Sequence, residues 1–375
     1  MRSIFKHATL LICLMLPSWI SQATEPDEPI HVVFLNPADQ DYWFWRMITD
    51  FMQASADDLN IKLEILYNEP KWNHFLTIRQ AEEVVKRQNP PDYILTGNEK
   101  GSAGGVIQVA QQAGVKVFVF NNGFVDPVDI EHYGKPREKY SMWIGQLIPN
   151  NFSAGYQIAK TLITQAMNKK LVTEEGKLRL AALAGAFNTH ASTERVKGLE
   201  AAVTEYQDAV QLVQIVPGDW TEKTAEKKSL SLLNRYPNIG AVWGANDVTA
   251  FGAMTSARAM GKEPGVDIIF GGCGWSAEAI EKVHQNTLAT TVGGHFMDGG
   301  WALVMLYDYH HGRDFNDDIF SPNMYAIDSR NVEQYLTVFG KQDWSKIDFR
   351  QFSKTLNPKV KSYDFSLEAV LKQFK

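Results

Sequence analysis

Cysteine is scarce in this chain. Only Cys13 and Cys273 occur among 375 residues. Cys13 falls in a leader segment that is removed, so the mature chain keeps one thiol and no internal disulfide. A chain of this size needs none, because its core is large. Surplus positive charge is also missing: 37 Lys and Arg stand against 43 Asp and Glu, a net charge of −6. That excludes a surface built for nucleic acid or anionic lipid, either of which needs a basic patch. After residue 16 no apolar run is long enough to cross a bilayer. Catalytic signatures are absent too. Gly261-Lys262 lacks the upstream glycine and following hydroxyl of a phosphate loop, and no Gly-x-Ser-x-Gly elbow occurs. Gly272-x-Gly274-x-x-Ala277 follows a strand, but it comes late and has no acidic residue at the next strand end. His310-His311, with Asp308 and Asp314, sit at a helix end where such side chains face solvent. No metal, no cofactor and no enzymatic activity are expected.

What is present begins with the leader. Arg2 and Lys6 are basic, Ala8 to Leu16 are apolar, Pro17 breaks the run, and Ser21-Gln22-Ala23 is a small-x-small cleavage site. This is a secretory signal peptide over residues 1–23, cleaved near Ala23; a noncleaved anchor is the alternative. Beyond it, 45% hydrophobic and 21% charged residues describe a soluble globular chain with room for two lobes.

Apolar runs alternate with helical periods from residue 31 onward. Strands are expected over 31–35, 62–66, 93–96 and 115–120, with helices over 42–59, 75–88 and 103–112 between them. Parallel strands need such crossover helices, so the pattern predicts a doubly wound sheet. Residues 124–139 carry no period. The pattern then restarts at 140–145 and runs through strands at 178–184, 210–216, 239–244 and 268–271. The fold class is α/β, with two doubly wound parallel-sheet lobes joined by three crossing segments. The expected boundaries are 30–122 plus 295–320 for the first lobe and 140–293 plus 323–340 for the second. Residues 341–375, polar with scattered Trp344, Phe349, Phe352 and Phe365, read as an appended tail.

The stretch from Ile239 to Ala253 shows where function lies. An apolar strand ends at Gly244, Asn246-Asp247 form a turn and helix cap, and a small-residue helix follows. Open α/β sheets bind ligands at the carboxyl edge of their strands, so a small-molecule site is expected there.

The order and spacing of several polar and aromatic loops make residues 30–335 resemble the type 1 periplasmic binding proteins, the ribose-binding-like group that also includes the autoinducer-2 receptor. The resemblance implies periplasmic-binding-protein-like lobes and a set of ligand contacts. Asp41-Tyr42-Trp43-Phe44 lies where the family stacks aromatics on a sugar; Trp43 and Phe44 as helix core is the alternative. Asn121 and Asn122 replace the family's Asp-Arg and can bracket hydroxyls, or else cap a turn. Arg195 falls on the binding arginine, with a salt bridge to Glu194 or Asp219 as the alternative. Trp220 matches a second stacking aromatic, Asn246 a polar contact and Gln146 a lining position. Two matches fail. Cys273, Gly274 and Trp275 stand at an aromatic-Asp pair, and Gly294 replaces a polar residue that His295 beside it can substitute. These departures imply a bulkier or less hydroxyl-rich ligand than ribose or glucose, with Cys273 beside it and Trp275 turned inward as a platform.

The family implies capture of a sugar-like ligand, with an inner-membrane ABC permease as partner. Sensing for a membrane receptor such as a histidine kinase is the second reading. A monomer in the periplasm, without a nucleic-acid partner, is expected either way.

Overall fold

A computed structural model describes residues 28–374; the leader, its cleavage site at Ala23 and Cys13 lie outside the described residues. The first half alternates β1 (His31–Leu35), α1 (Trp43–Leu59), β2 (Lys62–Leu66), α2 (His74–Val85), β3 (Tyr93–Thr96), α3 (Ser102–Ala113) and β4 (Lys116–Phe120). A short helix, α4 (Pro127–Tyr133), and β5 (Trp143–Leu147) follow. The second half runs α5 (Asn151–Asn168), β6 (Leu178–Ala184), α6 (His190–Glu205), β7 (Val210–Pro217), α7 (Glu222–Arg235), β8 (Ile239–Gly244), α8 (Asp247–Ala259), β9 (Ile269–Cys273), α9 (Ala277–His284) and β10 (Thr290–Gly293). The chain closes with α10 (Asp298–His310), β11 (Ile319–Phe320), β12 (Tyr325–Asp328), α11 (Val332–Phe339) and α12 (Leu367–Leu371).

The described residues form two six-stranded sheets of one topology, β2-β1-β3-β4-β5-β11 and β7-β6-β8-β9-β10-β12. All pairs are parallel except β10 with β12. The central strands are apolar on both faces because helices cover both: Val32, Val33, Phe34 and Leu35 are all fully buried. Helix α1 turns Met47, Ile48, Phe51 and Met52 inward at helical spacing. Several helices start on a side-chain cap that satisfies a free backbone donor; Asn73, Asn150, Thr221 and Asn246 each accept from the N–H three residues on.

The described chain passes between the sheets three times, at residues 148–150, 294–297 and 321–324. One expected boundary shifts. The strand at 143–147 pairs with β4 from Val117↔Trp143 to Phe120↔Leu147, so it closes the first sheet instead of opening the second lobe. The first crossing therefore follows this strand. Residues 124–139 contain α4, whose Tyr133 ring packs on Phe124.

Residues 341–374 are not an appendage. Trp344, Phe349, Phe352 and Phe365 are buried. Phe51 of α1 meets Trp344 at 5.6 Å and Phe349 at 5.2 Å, while Trp301 of α10 stacks on Phe365 at 4.8 Å. Fully buried Asp308 ties this segment down, accepting from Ser353 Oγ (2.6 Å), Lys354 N (2.7 Å), Thr355 N (2.9 Å) and the Tyr363 hydroxyl (3.0 Å). Asp314, the other acidic neighbour of the His310-His311 pair, holds Arg137 at 2.7 Å. Trp344 and Phe374 also touch Phe339 of α11, which packs on α9 of the second lobe.

Candidate ligand-binding site

Because the strands of both sheets point their carboxyl ends at the crossing segments, their exit loops face each other. Between them lies a cavity of about 660 Å³. From the first lobe, Trp43, Phe44, Asn121 and Asn122 line it; from the second, Arg195, Trp220, Asn246, Cys273 and Gly274. His295 of the middle crossing and Asn151 beside the first complete the back wall.

The second-lobe wall starts from helix packing. Gly155 of α5 and Gly198 of α6 let these helices touch backbone to backbone: a Cβ on Gly155 would stand 1.9 Å from Arg195 O, and one on Gly198 2.0 Å from Phe152 O. This contact brings Asn151 and Arg195 together at the helix starts. Arg195 Nε donates to Asn151 Oδ1 (2.9 Å), and Nη1 donates to Ala245 O (2.8 Å). Its Nη2 has no hydrogen-bond partner among the described residues. The guanidinium lies 5.7 Å from the Trp220 ring. No carboxylate among the described residues pairs with it; Glu194 holds Lys197 at 2.6 Å instead. A buried cation without an anion is costly unless hydrogen bonds replace its water, and the free edge of the fork points that need at the cavity.

The other polar groups are arranged around this cation. Asn246 caps α8, accepting from Thr249 N at 3.0 Å. Asp247 behind it is fully buried, accepting from Thr291 Oγ1 (2.7 Å) and Ser276 N (3.0 Å). Burial outweighs those bonds and the pull of Arg195, pushing its carboxyl up to about 6. Cys273 is a free thiol that burial pushes up to about 11, leaving it unionised at neutral pH. Burial, then Arg195, holds His295 well below the usual imidazole range, so it is neutral. Its ring lies 4.8 Å from Phe44, and its Nδ1 lacks a partner. Asn121 sits in a left-handed turn (φ 64°), and the Asn122 amide donates to Glu99, a carboxylate raised chiefly by burial.

Three expected contacts are not on the wall. Asp41 is exposed, its N–H turned to Asp39 Oδ1 at 3.2 Å. Gln146 is buried within the first lobe, where its amide brackets the Phe124 backbone at 3.2 and 3.1 Å. Trp275 does not turn inward. It is fully buried, with Nε1 donating to Thr291 O (3.1 Å) and Tyr325 O (3.0 Å). Gly293 is small to let that indole in: a Cβ there would meet it at 2.6 Å. The glycine at 294 serves a left-handed turn (φ 101°). Sequence reasoning missed Lys71, Trp72, Glu99 and Lys100. Their signal was topological, since the loops after β2 and β3 end at the same sheet edge.

The lobes also meet across the mouth, where His190 Nδ1 of α6 lies 3.7 Å from the Asp126 carboxylate ahead of α4. Two lobes of one topology, three crossings, and a cleft lined by facing aromatics and an unpaired arginine define a binding protein that closes around a small ligand.

Comparison with known proteins gives the family. The chain belongs to the periplasmic binding proteins: the periplasmic binding protein domain matches residues 32–313. This is a family of substrate-binding proteins of the periplasm, not of enzymes. Over 290 residues it is 21% identical to the ribose import binding protein of Escherichia coli (strain K12), covering 76% of this chain and 86% of the relative. A crystal structure of a periplasmic sugar-binding protein from Pseudomonas fluorescens is 33% identical, covers 91% of this chain and 99% of its own, and superposes with a TM-score of 0.79. An ABC transporter solute-binding protein from Actinobacillus succinogenes 130z with bound D-allose shares the fold, at 18% identity, a TM-score of 0.68, and coverage of 82% of this chain and 100% of its own.

Proposed function

We propose that the protein captures a sugar in the interlobe cavity and delivers it to an ABC importer of the inner membrane. The observation that carries this reading is the unpaired Nη2 edge of Arg195 set beside Trp220 and opposite Trp43. An aromatic face suits the C–H face of a sugar ring, and a guanidinium fork suits adjacent hydroxyls. The import role is supported by the relatives, among them the ribose import binding protein. Delivery takes place from the periplasm, after cleavage of the leader near Ala23, and by a monomer. Ligand bridging the two lobes favours the closed arrangement, which is what a membrane partner recognises.

Titration calorimetry with carbohydrates tests this directly. Trp43→Ala and Trp220→Ala are each expected to weaken binding about tenfold, the equivalent of ~1.4 kcal/mol. Full affinity in both folded variants contradicts the site assignment.

A further inference from the structure

The cavity is larger than one sugar ring needs. A hexose takes roughly 200 Å³, the room of about seven waters at ~30 Å³ each, whereas the cavity holds about 660 Å³. The same cavity is also lined on its first-lobe side by Tyr42, Lys71 and Trp72. Trp72 adopts a left-handed backbone (φ 63°), a conformation that a bulky residue keeps only where its surroundings impose it. Here they do. The Trp72 N–H donates to Pro37 O (2.8 Å). Fully buried Asn68 holds the next residue, donating to Asn73 O (2.9 Å) and accepting from Asn73 N (3.1 Å). The half-buried Trp72 ring stands edge-on to Tyr42 at 5.3 Å. Neither the Tyr42 hydroxyl nor Trp72 Nε1 has a hydrogen-bond partner among the described residues. Lys71 lies 3.6 Å from Asp39 and 5.0 Å from the centre of the Tyr42 ring.

Taking the sugar reading above as its basis, we propose that Tyr42 and Trp72 form a second subsite, and that the ligand is an uncharged disaccharide or longer glycan. One ring occupies the Trp43–Arg195–Trp220 site. The next lies against the Trp72 indole, with the two free donors offered to its hydroxyls. A rigid aromatic wall with unpaired polar tips, beside a lysine already paired with Asp39, fits a second sugar ring better than an anion or a lipid chain.

The test is calorimetry on the whole mature protein with glucose, galactose, ribose and arabinose, then maltose, cellobiose, lactose, melibiose and trehalose. At least one disaccharide is expected to bind ten times more tightly than either constituent. In Trp72→Ala that advantage should vanish, the disaccharide losing at least ten times more affinity than its constituents; Trp72→Phe, which keeps a ring, should retain part of it. Melting curves establish that both variants are folded. Monosaccharides binding as tightly as every disaccharide, or an advantage that survives Trp72→Ala, overturns the second subsite and leaves the sugar reading standing. If no carbohydrate binds at all, the sugar reading fails and the subsite with it.

Discussion

Trp43 of the first lobe reaches across the cleft to Gly274 of the second, so closely that a Cβ at position 274 would stand 3.0 Å from the Trp43 indole. The same carbon would lie 2.9 Å from Asp247 Oδ2, and the backbone there has φ 150°. The glycine at 274 therefore makes room for the Trp43 ring. Gly274→Ala is expected to tilt Trp43 and weaken sugar binding at least tenfold while the fold survives. Calorimetry beside a melting curve decides, and undiminished affinity contradicts the contact.

Arg195 should be the most sensitive position in the pocket. Its removal takes away a ligand donor and also strands Asn151 Oδ1 and the Ala245 carbonyl. Breaking hydrogen bonds to a charged group and leaving buried acceptors unpaired costs roughly 1–3 kcal/mol per partner. Arg195→Ala is expected to lose about a hundredfold in affinity, and Arg195→Lys to recover little, because an ammonium cannot reproduce the fork. Rescue by lysine would show that charge alone matters.

Much of this arrangement is legible in the sequence. Alternating apolar strands and amphipathic helices give the two sheets, and the resemblance to the periplasmic binding proteins points to Arg195, Trp220 and Asn246, all of which line the cavity. What is not legible arises from contacts that periodicity cannot carry. Trp275 looks like a platform, but its indole N–H finds carbonyls on two neighbouring strands and is drawn inside. Gln146 looks like a lining residue until the Phe124 backbone claims its amide. The aromatics after residue 341 have no repeat because each fills a separate gap on α1 and α10.

The segment after residue 341 should accordingly behave as core. Phe349 is fully buried against Phe51 and Trp301. Phe349→Ala is expected to cost ~3–5 kcal/mol in urea unfolding, as for other large-to-small core changes. A loss below ~1 kcal/mol would make the segment a detachable tail after all.

Asp247 gives a pH signature. Its carboxyl has an ordinary value of 3.8 and stands at about 6 in the fold because of burial. Between those values the unfolded chain releases the proton while the folded one keeps it, so the group's stabilising contribution is present below pH 3.8 and lost as pH rises through 6. The lost amount is about 3 kcal/mol. Asp247→Asn cannot titrate. Unfolding free energies of both proteins at pH 4, 5, 6 and 7 should therefore shift in favour of the variant as pH rises, then level off. A difference that stays constant across the series contradicts the raised carboxyl.

The central claim is that this cleft holds a carbohydrate. The protein exported to the periplasm, purified without denaturation and examined by native mass spectrometry, should carry or take up a neutral carbohydrate, and Arg195→Ala should release it. A bound molecule without sugar rings, or the same occupancy in the Arg195 variant, would contradict the account.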